Sequence, residues 1–198
     1  MLRAALTGGI ATGKSFCLAR FVALGVPAID ADTLAREAVV PGSSGHAAVI
    51  ERFGTQMVRA DGTLDRPALG AIVFADRAAR TALEAIIHPE VRRRIGEWFA
   101  NLGPGTRIAI ADIPLLFETG QEHDFDRIIV CACDPGEQVR RLILRDGLDD
   151  TTARLRLDAQ WPIGEKVARA HYVIRTDGTF ADTQQQVDAV YHALNVPE

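Results

Sequence analysis

The chain has 198 residues, which is enough for one good-sized domain or a core with small insertions, but too few for two full domains. Hydrophobic residues make up 47% and charged residues 24%, so the composition argues against a disordered chain or a coiled coil. The net charge of −4 argues against a general nucleic-acid binder, because such proteins usually carry excess basic residues.

Short apolar runs alternate with helical patterns along most of the chain, which predicts an α/β fold. The apolar runs are nearly continuous, as expected for parallel strands that helices cover on both faces. The predicted strands are Leu2–Thr7, Val26–Asp30, Arg107–Asp112, Arg127–Cys133 and Tyr172–Arg175. The predicted helices are Lys14–Leu24, Ala31–Val39, Gly45–Phe53, Arg66–Val73, Asp76–Phe99, Gly136–Arg145 and Thr179–Leu194.

Two helical stretches interrupt this alternation. Residues about 33–103 contain no clear strand, and residues about 140–170 are polar, arginine-rich and helical. We interpret both as insertions into a single domain that are able to move relative to the sheet. The core of that domain then consists of residues about 1–32, 104–139 and 171–198.

Membrane-spanning runs, signal peptides and disulfide frameworks indicate where a protein is located. It has no apolar run near the roughly 20 residues that cross a bilayer, and the short segment before Gly8 does not resemble a signal peptide. An odd number of cysteines, three, argues against a disulfide framework. Cys131 and Cys133 are predicted to be a buried structural pair on one strand face, with a metal or redox pair as the alternative. We therefore expect a cytoplasmic protein.

The strongest motif lies between the first predicted strand and the first predicted helix. Residues 8–15 read GGIATGKS and match the phosphate-loop pattern of glycine, four residues and Gly-Lys-Ser. Glycines let backbone N–H groups point at phosphate oxygens, and the next helix adds its positive N-terminal end. Lys14 is predicted to bind the β- and γ-phosphates, and Ser15 to bind Mg²⁺. The alternative is a glycine-rich turn with a surface lysine, which is less attractive because Lys14 and Lys166 are the only two lysines.

A phosphate loop indicates a nucleoside triphosphate but does not define the class of protein, because GTPases, motor ATPases and small-molecule kinases share it. Guanine-specific GTPases commonly carry Asn/Thr-Lys-x-Asp, and Lys166 is followed here by Val167 and Ala168. The chain is also short for a motor ATPase. The sequence therefore favours a kinase, with a nucleotide-switched binding protein as the alternative from another class.

Acidic residues follow two predicted strands, at the edge where open α/β sheets bind ligands. Asp32 is predicted to orient an attacking hydroxyl and accept its proton. Asp30 is predicted to cap the next helix, with a catalytic role as the alternative. Asp112 ends the third predicted strand, where it either holds Mg²⁺ through water or caps the turn before Pro114.

Further blocks follow in order along the chain. They are Leu6-Thr7-Gly8-Gly9-Ile10 with Gly13-Lys14-Ser15, Asp30-Ala31-Asp32 with Ala35-Arg36, Asp61-Gly62-Thr63-Leu64-Asp65-Arg66, Leu83-Glu84 with His88-Pro89, Pro114-Leu115-Leu116-Phe117-Glu118, Gln138-Val139-Arg140-Arg141 and Tyr172-Val173-Ile174. Together these blocks closely resemble the dephospho-CoA kinase family, over nearly the whole chain. The resemblance implies a P-loop kinase fold with a five-stranded parallel sheet in the order 2-3-1-4-5. It also implies ATP-dependent phosphorylation of the ribose 3′-hydroxyl of dephospho-CoA, which gives CoA and ADP in the last step of CoA synthesis.

The resemblance also implies roles for the insertions and for individual residues. The first insertion would bind dephospho-CoA, and the second would be a lid that closes over ATP. Asp32 would face the 3′-hydroxyl, while Lys14 and Arg141 would offset charge on the transferred phosphoryl group. The predicted ATP-binding residues are Gly8, Gly9, Ile10, Ala11, Thr12, Gly13, Lys14, Ser15, Phe16, Arg141 and Thr176. The predicted substrate-binding residues are Thr7, Asp32, Arg36, Arg66, His88, Leu116 and Glu118, and the predicted Mg²⁺ ligands are Ser15 and Asp112.

Some of these predictions carry alternatives. Glu118 either orients groups at the substrate or bridges to the edge of the sheet. His88, which precedes Pro89, marks either the end or a kink of a helix. Its side chain either contacts substrate or caps local backbone. Expected partners are ATP and dephospho-CoA, with Mg²⁺ as the cofactor and no nucleic acid or membrane. We expect a monomer or a weak homo-oligomer.

The chain departs from the family pattern at four positions. Ala11 stands where glycine is usual and fits if its φ is negative. Phe16 stands where threonine is usual, and His171 where aspartate is usual. Thr176 stands where an asparagine near the adenine is usual, which leaves the discrimination of ATP from GTP open. The role of Lys166 is also open.

Overall fold

The computed structural model describes residues 1–196, which form two compact units. The first unit comprises Met1–Ile29 and the chain from Leu102 onward, and the second is Asp30–Asn101. The strands are β1 (Leu2–Gly8), β2 (Ala28–Asp30), β3 (Ile108–Asp112), β4 (Arg127–Ala132) and β5 (Tyr172–Arg175). The helices are α1 (Lys14–Ala23), α2 (Ala31–Glu37), α3 (Ser44–Phe53), α4 (Arg66–Ala75), α5 (Arg77–Ala100), α6 (Pro135–Asp146), α7 (Asp150–Asp158), α8 (Ile163–Ala168) and α9 (Phe180–Asn195).

The five strands form one sheet in the order β2-β3-β1-β4-β5, which confirms the predicted order. β1 runs parallel to β3 and β4, and β4 runs parallel to β5. Leu6 at the centre pairs with Asp112 on one side and Ile129 on the other, so the carboxyl ends of three strands lie at one edge. α1 and α9 pack on this sheet, and their core includes Leu6, Phe21, Ile110, Ile129 and Val187.

The second unit is helical and has its own apolar core. Asp30 begins it as the N-cap of α2, because its carboxylate accepts a hydrogen bond from the backbone N–H of Asp32 at 2.8 Å. The predicted capping role of Asp30 is therefore confirmed. Apolar side chains from α3, α4, α5 and the chain on either side of α3 form the core, which consists of Val39, Val49, Phe53, Met57, Leu64, Leu69 and Ala79.

α5 is a helix of 24 residues that continues through Pro89 to Ala100. The predicted helix Asp76–Phe99 is therefore confirmed, and of the two alternatives given for His88 the end of a helix is excluded. Proline removes one backbone donor, but Val91, Ile95 and Phe99 after it are buried and keep the helix packed. In the described residues 1–196, no helix is both long and apolar enough to cross a membrane.

The predicted lid segment belongs to the first unit and begins inside a helix. Residue 140 lies in the middle of α6, and the chain leaves that helix at Gly147, whose φ is 66°. α6 and α7 bury Val139, Leu142 and Ala153 in a small cluster. Ile10 and Ala11 of the phosphate loop pack against this cluster, so the loop shares a core with the helices that follow β4.

The three cysteines are buried and free, and Cys133 lies one residue beyond β4. A hydrogen bond with Cys17 raises the pKa of the Cys131 thiol, and burial raises the pKa of Cys133. Both thiols are therefore protonated at neutral pH. The predicted burial of Cys131 and Cys133 is confirmed, whereas Cys133 lies outside the strand on which both were predicted.

Candidate active site

The phosphate loop occupies residues 8–13 between β1 and α1. The Thr12 hydroxyl and the Thr12 N–H both donate to the Gly9 carbonyl, at 2.8 Å and 3.3 Å, and curl the loop. Gly13 stands at the N-cap of α1 with a φ of 77°, a left-handed conformation that glycine adopts without strain. A Cβ on Gly8 would lie 2.6 Å from the Cys131 carbonyl oxygen, so the neighbouring strand requires glycine there.

Ala11 has a φ of 59°, so the condition of a negative φ, under which alanine was expected to fit, is not met. A side chain in the left-handed region costs about 1 kcal/mol because Cβ crowds the next carbonyl. Within the described residues, Ala11 is the only non-glycine residue with a positive φ. Its carbonyl accepts a hydrogen bond from Nη1 of Arg141 at 3.4 Å, and its side chain packs in the cluster between α6 and α7.

Lys14 and Asp112 meet at the carboxyl ends of β1 and β3. The Lys14 ammonium forms a direct ion pair with the Asp112 carboxylate, and their side chains are only 16% and 8% exposed. Ser15, the next residue of α1, is exposed. Three residues predicted to bind phosphate or Mg²⁺ thus lie at one edge of the sheet, although their roles stay predictions.

Lys166 is fully buried. Its contacts define a structural role, which the sequence left open. Its Nζ lies 2.7 Å from Oε1 of Glu118 and donates to the carbonyl oxygens of Gly8 and Pro114, at 3.3 Å and 3.4 Å. The same Oε1 accepts the Trp161 N–H at 3.0 Å. Glu118 therefore bridges α8 to the chain after β3, which favours the bridging interpretation over a substrate contact.

Two glutamines for which no role was predicted form hydrogen bonds with the backbone of Ile10. Gln138 donates from Nε2 to the Ile10 carbonyl at 2.6 Å, and the Ile10 N–H donates to Oε1 of Gln160 at 2.7 Å. Gln138 is on α6 and Gln160 follows α7. The phosphate loop is therefore held by Gln160 of the segment predicted to be the lid and by Gln138, which lies just before that segment.

A cleft of about 670 Å³ adjoins the loop at Gly13, and Phe16, Arg141, Thr176 and Phe180 are among its lining residues. Arg141 donates from Nε to Glu137 at 2.7 Å, and from Nη2 to the Thr176 carbonyl at 2.6 Å. The neighbouring Arg140 hydrogen-bonds Glu137 and, with Arg141, holds the pKa of that carboxyl at about 2. The structure thus brings together Phe16, Arg141 and Thr176, three of the residues predicted to bind ATP.

The second unit carries the other predicted substrate residues. Asp32 is exposed in the first turn of α2. Arg36 and Arg66 are exposed and adjacent, because Nη2 of Arg66 donates to the Arg36 carbonyl at 3.1 Å. His88 is half-buried on α5, and this burial lowers its pKa, so the imidazole is neutral at pH 7.

Thr7 and Leu116 have no exposed side-chain surface. The Thr7 hydroxyl donates to the Pro114 carbonyl at 3.2 Å, and Leu116 is fully buried. The Thr7 hydroxyl therefore links the end of β1 to the chain after β3. Substrate contacts of Thr7 and Leu116 stay predictions from the sequence.

The fold and this edge of the sheet define a class of protein. A phosphate loop that joins β1 to the N-terminus of α1, in a parallel sheet of this order with a lysine facing a carboxylate at the strand ends, is the arrangement of a P-loop kinase. Three comparisons then identify the family.

The family model described as dephospho-CoA kinase matches residues 2–182. The chain is 43% identical over 186 residues to a dephospho-CoA kinase of Geobacillus kaustophilus, covering 93% of this chain and 92% of that protein. It is 49% identical over 174 residues to one of Anaeromyxobacter dehalogenans, covering 87% and 82%. The solved dephospho-CoA kinase from Campylobacter jejuni superposes with a TM-score of 0.74 at 28% identity, over 97% of this chain and 96% of that one. The chain belongs to the dephospho-CoA kinase family and is an ATP-dependent kinase of CoA biosynthesis.

Proposed function

We propose that this chain transfers the γ-phosphoryl group of ATP to the ribose 3′-hydroxyl of dephospho-CoA, with the triphosphate on residues 8–16. The observation that carries the proposal is the buried pair of Lys14 and Asp112 beside the open N-terminus of α1. The backbone N–H groups of the loop and the first turn of α1 supply donors to the phosphates. Asp112 holds the Lys14 ammonium at the strand ends, where it offsets charge on the transferred group.

The donors at this edge also fit Mg²⁺. The Ser15 hydroxyl and the Asp112 carboxylate are oxygen donors, which Mg²⁺ prefers, and Ser15 is open to solvent, which leaves room for phosphate and water ligands. When bound, Mg²⁺ neutralises charge on the phosphates. We assign Ser15 as a direct ligand and Asp112 as a ligand through water.

Asp32 is the proposed catalytic carboxylate. It is the second residue after β2, in the first turn of α2, and its side chain is exposed, whereas the nearby Asp30 caps that helix. Its carboxylate orients the 3′-hydroxyl and accepts the proton as the oxygen attacks phosphorus. Closing the lid excludes water, which would otherwise compete as the acceptor.

The exposed arginines of the second unit suit the charge of the acceptor. Dephospho-CoA carries a pyrophosphate, and guanidinium groups pair with phosphate through two parallel hydrogen bonds. Arg36 and Arg66 are both exposed, and the Arg66 guanidinium lies beside the backbone of Arg36. His88, neutral at pH 7, contributes a hydrogen bond rather than a charge.

A cytoplasmic location and a monomer or weak homo-oligomer stay predictions from the sequence.

The test is ADP release measured with dephospho-CoA, AMP, shikimate and nucleosides as acceptors. We expect turnover with dephospho-CoA, and acceptor-independent hydrolysis would favour a nucleotide-switched binding protein instead. Asp32→Asn should lower kcat by about 100-fold or more with ATP affinity unchanged. Asp30→Asn is the matched control, because asparagine caps helices as well as aspartate does. If Asp30→Asn loses activity and Asp32→Asn does not, the two assignments are reversed.

A further inference from the structure

The cleft beside Gly13 is lined by two neighbouring phenylalanines. Phe180, the first residue of α9, is 76% exposed, and its ring centroid lies 5.0 Å from that of Phe16 on α1. The planes are inclined by 46°, so the rings form a shallow corner rather than a stack. A single exposed phenylalanine needs no explanation, but two side by side in a cleft form an apolar surface that suits a flat aromatic ligand.

The position of this cleft relative to the phosphate loop indicates which part of a nucleotide it would hold. A Cβ placed on Gly13 would lie 3.5 Å from Cβ of Thr176 and 3.6 Å from Nη1 of Arg141. The last glycine of the loop therefore borders the cleft directly. A nucleotide with its phosphates on the loop extends its base into this space. This step rests on the proposed ATP site.

Thr176 has no hydroxyl donor to spare for the base. The side chain is buried, and its Oγ1 donates to the Thr12 carbonyl at 2.7 Å while it accepts from Nη1 of Arg141 at 3.2 Å. Its N–H donates to the Ala132 carbonyl at 2.9 Å, and its own carbonyl accepts from Arg141. Thr176 is therefore a structural residue that joins the loop, β4 and Arg141.

Arg141 and Asp177 discriminate only weakly between purines. The Nε, Nη1 and Nη2 atoms of Arg141 all donate to protein groups, so the guanidinium offers its flat face, which stacks on any base. Asp177 is exposed at the cleft, where water competes for its carboxylate, so a hydrogen bond from a base amino group contributes little net free energy. Neither contact rejects the wrong purine strongly.

We propose that Phe180, with Phe16 and the face of Arg141, recognises the base by stacking, so that GTP replaces ATP as a phosphoryl donor. Aromatic stacking tolerates any base, because every base presents a π-face. Sites that read a ligand through buried hydrogen bonds reject analogues by about 10⁴-fold or more, whereas apolar sites discriminate by about 10–200-fold. The kcat/KM for GTP should therefore lie within about 100-fold of that for ATP.

The experiment measures kcat and KM for ATP and GTP with saturating dephospho-CoA, in the wild type, Phe180→Ala, Phe180→Trp and Phe74→Ala. Phe180→Ala should raise both nucleotide KM values about 5–30-fold with kcat little changed, and Phe180→Trp should retain the wild-type values. Phe74→Ala is the matched control, because Phe74 is 89% exposed on α4 and should leave the constants unchanged.

The outcomes separate this inference from the proposed function. Turnover of ATP with dephospho-CoA tests the function, whereas the ratio between the nucleotides tests base recognition. Calorimetric binding of non-hydrolysable ATP and GTP analogues gives the same ratio without turnover. A preference for ATP above about 100-fold would overturn the inference, because the base would then be read by hydrogen bonds. Wild-type KM values in Phe180→Ala would overturn the role of Phe180.

Discussion

The phosphate end and the base end of the proposed nucleotide site are built in different ways. At the phosphate end, Lys14 and Lys166 are each paired with a carboxylate, and glutamines hold both backbone groups of Ile10. At the base end, Phe180 is largely exposed and Arg141 presents a flat face. A phosphate is bound through directed, charged hydrogen bonds, so its site must be held rigidly. Stacking needs only a flat surface, so the base end of the site does not need side chains held in one fixed geometry.

The largest effect is expected at the phosphate end, from Lys14→Met. The variant should lose about 1,000-fold or more in kcat/KM, because it removes the charge that offsets the transferred phosphoryl group. It also leaves Asp112 buried without its ion-pair partner, so thermal unfolding must be recorded and the kinetics measured below the transition. Lys14→Arg, which keeps the charge, should recover stability more than activity, since the guanidinium is longer and planar. Activity within tenfold of wild type would contradict the role of Lys14.

An intermediate effect is expected from the buried pair beneath the loop. Lys166→Met should destabilise the protein by about 3–5 kcal/mol, because it leaves the Glu118 carboxylate buried and unpaired. The double variant Lys166→Met/Glu118→Gln should recover most of that loss, since neither charge remains. Urea unfolding measures both. If the single variant is as stable as the wild type, the pair does not support the loop.

The smallest effect is expected from Ala11→Gly. Glycine adopts the φ of 59° without strain, which stabilises the folded protein by about 1 kcal/mol. Glycine also makes the unfolded chain more flexible, and this destabilises the folded protein by a similar free energy. The melting temperature should therefore change by only a few degrees, with kcat/KM unchanged. A large loss of stability would show that the Ala11 methyl contributes more to the cluster between α6 and α7 than its strain costs.

The contrast between the two ends also explains how much could be predicted from the sequence. The strands and the phosphate loop are local patterns: β1, β3 and β4 are nearly continuous apolar runs, and a glycine-rich turn before a lysine has one known geometry. The supports of the loop are not local. Lys166 reaches Gly8 across 158 residues and Gln160 reaches Ile10 across 150, and no spacing rule links such positions.

Other differences have equally specific causes. Alanine usually adopts a negative φ, so its left-handed conformation at position 11 depends on loop packing that the residue type does not encode. Proline usually ends a helix, yet α5 continues because the residues after Pro89 have a buried face to fill. In both places, tertiary contacts outweigh a local preference. The one sign of Lys166 in the sequence is that it is one of only two lysines in an arginine-rich chain.

The scarcity of lysine has a consequence for covalent chemistry. Of the two lysine side chains, Lys166 is fully buried and Lys14 is 16% exposed. An acylating reagent that attacks side-chain amines therefore has one accessible target in the folded protein, and that target lies in the phosphate loop. An electrophile attached to a triphosphate mimic would be delivered to this amine. The protein is thus suited to selective labelling, because its arginines are not acylated under the same mild conditions.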